Sequence, residues 1–162
     1  MKNNNSYYPL MLKCILSLEG GYVNHPCDKG GATNCGITTT TYNAYRKSKG
    51  LKSNDIKNIT QDEIEEIYYN NYYKLSGANK IQNPQLALYV FDTAVNMGVS
   101  VALNLFNKCN NNLDIFEKLR REKYKSYADT DPTQKIFLKG WNNRVTHVKN
   151  FAMTNLPDKM TI

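Results

Sequence analysis

The sequence predicts a mostly helical α+β protein with a small β-hairpin or irregular glycine-rich element after the first helix. Three observations favour this fold class. Apolar residues recur with helical spacing over most of the chain, glycines cluster in one early segment, and no repeat or Pro/Ser-rich linker divides the 162 residues. A chain of this length can bury a sizeable core, so we expect a single compact domain over residues 1–162.

The first predicted helix covers residues 8–19. Its apolar residues form one helical stripe, and they are Tyr8, Met11, Leu12, Ile15 and Leu16. Glu19 continues this stripe, since it lies four residues after Ile15. A glutamate is rarely buried without a partner, and apolar surroundings favour its protonated form over the carboxylate. Glu19 is therefore a candidate general acid near neutral pH.

Residues 20–38 predict turns rather than a regular helix. The segment contains five glycines and a proline, and glycine readily adopts the positive φ angles of tight turns. Short strands at 22–23 and 36–37 would form a small hairpin. Two polar residues of this bent segment, Asp28 and Thr33, can fold back towards Glu19.

The rest of the chain predicts further helices. One covers about 40–49, and a capping box of Thr60 and Glu63 opens the next, which ends at Gly77. Another begins at Pro84 and stops at Gly98. The apolar stripe of the helix after Thr60 contains Ile64, Ile67, Tyr68, Tyr72 and Leu75. Later helices are expected from a Ser100 cap, from a capping box of Asp114 and Glu117, and from near Asp131–Pro132, the last with Phe137, Trp141, Val145, Val148 and Ala152.

The chain is basic, with a net charge of +7 and a sequence pI near 9.2. This balance suggests a polyanionic partner such as nucleic acid, anionic lipid or an acidic wall polymer, and charge alone does not choose among them. No apolar run is long enough to span a membrane. The first residues lack the pattern of a secretory signal, so we expect synthesis in the cytoplasm without a signal peptide. A basic helix face is predicted to be solvated and to draw the protein to an anionic wall; it comprises Lys118, Arg120, Arg121, Lys123 and Lys125.

The four cysteines predict neither a disulfide framework nor a metal centre. Cys14 and Cys109 fall on apolar stripes and are expected to be small buried side chains. Cys27 and Cys35 flank the glycine turn near His25, but structural zinc takes four ligands at recognisable spacings. We therefore expect reduced thiols, no metal and no organic cofactor.

Glu19, Asp28 and Thr33 could together hydrolyse a glycosidic bond. This reaction needs a protonated carboxyl for the leaving oxygen and a second group that activates water or attacks the sugar. One carboxyl on an apolar helix face and one on a polar loop would differ in proton affinity. Alternatively, Glu19 caps its own turn and Asp28 forms an ordinary Asx turn. Spacing alone slightly favours this structural alternative.

Longer stretches of sequence shift that balance. The early stretches are Glu19-Gly-Gly-Tyr22, Asn24-His-Pro26, Asp28-Lys-Gly-Gly-Ala-Thr33 and Gly36-Ile-Thr38, and the later ones are the helix from Tyr68 to Tyr73, Asp92-Thr-Ala-Val-Asn96-Met-Gly98 and Phe137-Leu-Lys-Gly-Trp141-Asn-Asn-Arg144. Together they resemble glycoside hydrolase family 108, the N-acetylmuramidases found among phage endolysins and bacterial muramidases. The resemblance spans nearly the whole chain.

The resemblance implies a lysozyme-like fold and cleavage of the β-1,4 bond from N-acetylmuramic acid to N-acetylglucosamine. It places the catalytic acid at Glu19. The order Glu19, Asp28, Thr33 is similar to the Glu–Asp–Thr triad of phage-type lysozymes, although the gap from Asp to Thr is one residue shorter here. Asp28 would then be the base or the carboxylate that positions water, with Thr33 as an auxiliary water holder. An inverting and a retaining mechanism both stay open.

The resemblance also divides the chain into a catalytic part, 6–90, and a helical peptidoglycan-binding part, 91–155. Asp92 and Asn96 share a helix face and either line the glycan groove or fix the helix and the turn at Gly98. Arg144 either binds a peptide-stem carboxylate or pairs with an acid. Tyr22, beside the catalytic turn, is the candidate for stacking on a sugar, whereas Trp141 is expected in the core.

The expected partner is bacterial peptidoglycan, with no nucleic acid, and the protein is expected to be a monomer that acts in the periplasm or on the cell wall. Phage lysis, toxin secretion and wall remodelling all stay open. Two other functions are also open. One is a non-catalytic wall- or nucleic-acid-binding module that uses the basic face. The other is a peptidoglycan peptidase or amidase with Cys35 and His147 as a Cys–His pair.

Overall fold

The computed structural model describes residues 4–24 and 31–159, with side chains from Ser6 onward. These residues form helices and one two-stranded antiparallel sheet, which confirms the predicted mostly helical fold class with a small β element. The α-helices are α1 (Tyr8–Leu18), α2 (Thr39–Ser48), α3 (Gln61–Tyr68), α4 (Pro84–Met97), α5 (Val99–Lys108), α6 (Leu113–Thr130) and α7 (Lys135–Asn155), and the strands are β1 (Thr33–Asn34) and β2 (Ile37–Thr38). Short 3₁₀ helices cover Asn4–Tyr7, Ile56–Asn58, Ala78–Lys80 and Pro132–Gln134, and a π-helix covers Tyr69–Tyr73.

The chain forms two compact units. The N-terminal unit is Pro9–Asn71, and the C-terminal unit consists of Met1–Tyr8 and Tyr72–Ile162. The boundaries of these units differ from those of the predicted parts, 6–90 and 91–155. The single domain and its two parts therefore stay predictions.

Helix α1 has the predicted apolar stripe. Met11, Leu12 and Ile15 are buried, and Lys13 is exposed on the opposite face. The helix ends at Leu18, and the backbone N–H of Glu19 donates to the Leu16 carbonyl at 3.3 Å. Glu19 thus lies just beyond the last helical turn, with a half-buried side chain.

The hairpin exists, but its strands pair differently from the prediction. Thr33 pairs with Thr38 and Asn34 with Ile37, around a two-residue turn whose residues Cys35 and Gly36 have φ angles of 49° and 74°. Two positive φ angles are typical of the type I′ turns that join adjacent strands. The predicted pairing of 22–23 with 36–37 was wrong. The two-residue turn has a low closure entropy and pairs β2 with β1, and Val23 pairs with Thr33 of β1 instead.

The capping box that opens α3 is confirmed, and it also ties α3 to α2. The Thr60 side chain accepts from the Glu63 backbone, and the Glu63 side chain accepts from the Thr60 backbone. Glu63 also accepts from the Tyr42 hydroxyl at 2.8 Å and from Arg46 at 2.6 Å. Burial opposes ionisation of Glu63, but the bonds from Thr60, Tyr42 and Arg46 outweigh it and hold the pKa of Glu63 below its usual range.

The helical segment after Tyr68 continues as a π-helix, which changes the buried face. A π-turn contains more residues than an α-turn, so the 3.6-residue spacing does not extend beyond Tyr68. Tyr73 is consequently buried, whereas Leu75 is 59% exposed, and the prediction that Leu75 joins the apolar stripe was wrong. Within the C-terminal unit, the Tyr73 ring packs 4.9 Å from Tyr8 and 5.1 Å from Phe91.

Helix α4 is the centre of the C-terminal unit, since it contacts α5, α6 and α7 and is buried along most of its length. Two predicted caps around it were wrong. Gly98, with φ of 98°, ends α4 and directly precedes α5 in place of a Ser100 cap. The Asn112 side chain accepts from the Ile115 backbone and caps α6 two residues before the predicted cap, Asp114. Asparagine and glycine tolerate the local geometry that these short connections require.

Candidate active site

The Glu19 carboxylate lies against the turn of the hairpin. A Cβ atom on Gly36 would lie 2.8 Å from Glu19 Oε2 and 3.2 Å from its Cδ atom. Real side chains do not approach so closely, and Gly36 also has a positive φ angle. Glycine at position 36 therefore allows both the turn and the close approach of the carboxylate.

Tyr68 is the second side chain at this turn. Its hydroxyl donates to the Cys35 carbonyl at 2.7 Å, and the same Cβ position on Gly36 would lie 2.7 Å from that hydroxyl. The sequence placed Tyr68 on an apolar stripe, and its ring is indeed buried. Helical spacing carries no signal for where a hydroxyl points, so sequence reasoning missed Tyr68 and Gly36 as neighbours of Glu19.

Thr33 lies in β1, two residues before the turn. Its backbone exchanges hydrogen bonds of 2.9 and 2.8 Å with Val23 and also pairs with Thr38, so its backbone position is held from both sides. Its side chain is half-buried. Asp28 lies outside the described residues, as do His25 and Cys27, and the arrangement of Asp28 with Glu19 stays a prediction.

Tyr22 is close in sequence to Glu19 and is open to solvent. Its side chain is 39% exposed, and Lys57 Nζ lies 4.8 Å from the centre of its ring. An exposed aromatic face beside a cation suits a sugar ring or an anionic group. Its role in sugar stacking stays a prediction.

Asp92 is held inside the C-terminal unit by two arginines. Its side chain is fully buried; Arg120 Nη2 lies 2.7 Å from Oδ2 and Arg144 Nη2 lies 2.8 Å from Oδ1. Burial opposes ionisation of Asp92, but the charges of Arg120 and Arg144 outweigh burial and hold the pKa of Asp92 below its usual range. This geometry favours the structural alternative for Asp92 over contact with a glycan.

Asn96 belongs to the same network. The Tyr124 hydroxyl donates to Asn96 Oδ1 and accepts from Arg120 Nη2 at 3.0 Å. The Trp141 ring stacks on Tyr124 at 5.0 Å and is half-buried, between the core and the surface. Three of the four candidate binding residues, Asp92, Asn96 and Arg144, thus join one cluster, and Tyr22 lies in the other unit.

The predicted basic face of α6 was wrong for Arg120. This side chain is fully buried on the stripe that also buries Phe116 and Tyr124, at four-residue spacings on either side. That spacing was a signal available in the sequence. The long aliphatic stem of arginine can pack along an apolar surface. The prediction nevertheless placed Arg120 in solvent because its side chain is charged.

Arg121 is also held rather than free. Its guanidinium binds Glu117 at 2.9 Å and Asn142 Oδ1 at 3.0 Å. Lys118 and Lys125 are exposed as predicted, whereas Lys123 is half-buried, with its Nζ 5.1 Å from the centre of the Tyr127 ring. The basic face of α6 is therefore narrower than its sequence suggests.

Within 4–24 and 31–159, no group of three or more His, Cys, Asp or Glu side chains could hold a metal ion. None of the helices in those same ranges is long and apolar enough to cross a membrane.

Two comparisons bear on this arrangement. The family model Glycosyl hydrolase 108 matches residues 12–98, which contain Glu19, the hairpin and Tyr68. The chain is similar to the solved structure of Brucella abortus SagA, with a TM-score of 0.70 and 24% sequence identity, over 92% of this chain and 95% of that chain. At this identity, the likeness shows a shared fold. No curated protein matches the chain.

Proposed function

We propose that this chain, which belongs to the glycosyl hydrolase 108 family, is an N-acetylmuramidase of bacterial peptidoglycan. Family membership makes it a glycoside hydrolase and confirms the resemblance drawn from its residues. The finer proposal is cleavage of the β-1,4 bond between N-acetylmuramic acid and N-acetylglucosamine. The observation that carries it is the Glu19 carboxylate, half-buried and packed against the Gly36 turn within the matched region.

Glu19 is proposed as the general acid. In its protonated form it donates a proton to the glycosidic oxygen as the bond from that oxygen to the anomeric carbon breaks. Asp28 activates or positions the water that replaces the leaving sugar, or attacks the anomeric carbon itself, and Thr33 helps to hold the water. Carboxyl groups about 6.5–9.5 Å apart would indicate inversion and about 5 Å retention.

The remaining roles extend this proposal. Tyr22 stacks on a sugar ring near the cleaved bond. The helical part, 91–155, binds peptidoglycan. Asn96 and Arg144 are the side chains of this part that we propose as ligands of the polymer. Arg144 keeps a side chain that is 12% exposed while it binds Asp92. The protein would act as a monomer on the cell wall.

A thiol mechanism has less support. The Cys35 thiol lies 3.5 Å from the Asn34 amide oxygen, which cannot serve as a general base. A Cys–His hydrolase needs a histidine in hydrogen-bond reach of its thiol, and the hydrogen bond described for the Cys35 thiol is with Asn34 instead.

Release of reducing ends from purified peptidoglycan tests the proposal. The experiment compares the wild type with Glu19→Gln, Cys35→Ser and a control, Glu122→Gln, whose side chain is exposed on α6. The muramidase proposal predicts loss of activity in Glu19→Gln alone, because glutamine keeps the shape but has no proton to donate. Release of free amino groups without new reducing ends, abolished in Cys35→Ser, would favour the thiol mechanism. Binding by the wild type with release of neither product would favour a non-catalytic module.

A further inference from the structure

Tyr68 has no role in the chemistry above, yet its hydroxyl lies beside the candidate acid. Its side chain is 1% exposed, and its hydroxyl donates to the Cys35 carbonyl at 2.7 Å. Tyr68 ends α3, whereas Cys35 begins the hairpin turn 33 residues earlier. A buried donor without a partner is costly, so this bond fastens the turn to α3.

The turn that Tyr68 holds is the surface against which Glu19 rests. One position, that of the missing Cβ on Gly36, lies 2.7 Å from the Tyr68 hydroxyl and 2.8 Å from Glu19 Oε2. The hydroxyl and the carboxylate therefore face a small volume that the Gly36 hydrogen occupies. Any shift of the turn changes the surroundings of the carboxylate.

Other described bonds of the hairpin hold its strands rather than its turn. The Asn34 side chain donates to the Ile56 carbonyl at 3.3 Å, and the Thr39 hydroxyl donates to the Ala32 carbonyl at 2.8 Å. The Cys35 thiol contacts its own neighbour, Asn34. Among these bonds, the one from Tyr68 connects the turn to a separate helix.

We propose that Tyr68 is a positioning residue for the general acid. Through the Cys35 carbonyl it sets the place of the turn, and the turn sets the direction in which the Glu19 carboxyl faces the substrate. This inference rests on the proposed function of Glu19. Tyr68 positions the general acid and does not itself donate the proton to the glycosidic oxygen, so its loss lowers kcat and leaves KM nearly unchanged.

The test is Tyr68→Phe with Tyr42→Phe as the matched control. Both tyrosines are buried in the N-terminal unit, and both hydroxyls donate a hydrogen bond, that of Tyr68 to the Cys35 carbonyl at 2.7 Å and that of Tyr42 to Glu63 at 2.8 Å. We expect kcat of Tyr68→Phe to fall roughly 10- to 100-fold, since a displacement of about 1 Å can cost about 100-fold. KM stays within about twofold, and Tyr42→Phe keeps its kcat although thermal unfolding shows a similar loss of stability.

Wild type and Glu19→Gln, assayed beside these variants, separate the two proposals. If the wild type is active and Glu19→Gln is not, equal kcat values in Tyr68→Phe and Tyr42→Phe overturn the positioning role and leave the proposed function intact. An inactive wild type, or an active Glu19→Gln, overturns both.

If Tyr68→Phe does not fold, Gly36→Ala decides the question. Its methyl group would lie 2.7 Å from the Tyr68 hydroxyl and 2.8 Å from Glu19 Oε2, so the turn or these side chains must shift although the tyrosine itself is kept. The positioning role predicts a lowered kcat at nearly constant KM. A wild-type kcat in folded Gly36→Ala contradicts it.

Discussion

The Asp92 carboxylate binds the guanidinium groups of both Arg120 and Arg144. One negative charge thus faces two positive charges inside the C-terminal unit. Nε and Nη1 of Arg120 are buried and have no hydrogen-bond partner among the described residues. Removing one partner of a buried ion cluster typically costs about 3–5 kcal/mol, because the remaining charge stays desolvated. The free energy of unfolding should therefore depend strongly on the charge of Asp92.

The lowered pKa of Asp92 predicts a specific pH dependence. An unfolded aspartate has a pKa of about 4, and the folded value lies below it. The stability from the charged carboxylate is thus fully present above about pH 4 and is lost as the pH falls through the folded pKa. The difference in Tm between wild type and Asp92→Asn should be large at neutral pH and shrink in acid. Thermal unfolding by circular dichroism measures it, and a difference independent of pH would contradict the ion cluster.

At the scale of single residues, sequence reasoning used the apolar helical stripe to predict burial for Glu19 but did not apply the same rule to Arg120. Glu19 follows Ile15 by four residues and lies half-buried just beyond the end of α1, and Arg120 lies between Phe116 and Tyr124 on the buried stripe of α6. For glutamate the stripe was taken as a sign of burial, whereas the charge of arginine was taken as a sign of solvent. Position on the stripe was the better guide for Arg120.

At the scale of elements, local signals predicted helices and non-local pairing was harder. The box of Thr60 and Glu63 and the proline start of α4 depend on neighbouring residues, and both are present. The hairpin depends on which segments pair with Thr33, and the local sequence does not determine this pairing. A pattern with a 3.6-residue period does not reveal the π-helix at Tyr69–Tyr73. Leu75 was therefore predicted on the buried face but is exposed.

The α3 cap predicts a stability effect without a catalytic one. Thr60→Ala removes the side-chain acceptor of the capping box and should cost about 1 kcal/mol. Tyr68 lies at the other end of α3, so kcat of the folded variant should match the wild type. Urea unfolding and steady-state kinetics measure both, with the exposed Thr154→Ala on α7 as a near-neutral control. A loss of kcat in Thr60→Ala would mean that the whole helix moves with its cap.

At the scale of the whole molecule, the protein keeps its net charge of +7 although many of its charged side chains form ion pairs. Lys125 binds Asp129 at 2.6 Å and Lys149 binds Glu117 at 3.0 Å, but such pairs do not change the total. Long-range attraction to an anionic wall is screened by salt, since the Debye length falls from about 10 Å at 0.1 M to about 3 Å at 1 M.

Binding to purified cell walls should therefore weaken several-fold between these salt concentrations. Glu19→Gln is the suitable form for pull-down, because it should leave the wall intact. Uncharged chitin serves as the control polymer, and binding to it should change little. Equal loss on both polymers, or no loss on walls, would mean that charge does not drive the association.

The family and the fold were accessible from sequence because the early motif is long and specific, and the family model covers the same region. The interior of the C-terminal unit was not accessible, since it depends on contacts between residues such as Asp92 and Arg144, which are 52 positions apart. Asp28 lies outside the described residues, so Glu19 carries the account of the site.

The most direct test is to identify the sugar at the new reducing end. Peptidoglycan digested by the wild type is reduced with borohydride, and its fragments are analysed by mass spectrometry. We predict reduced N-acetylmuramic acid from wild type and from Glu122→Gln, and none from Glu19→Gln at equal folded concentration. Reduced N-acetylglucosamine from wild type, or wild-type amounts of product from Glu19→Gln, would contradict the account.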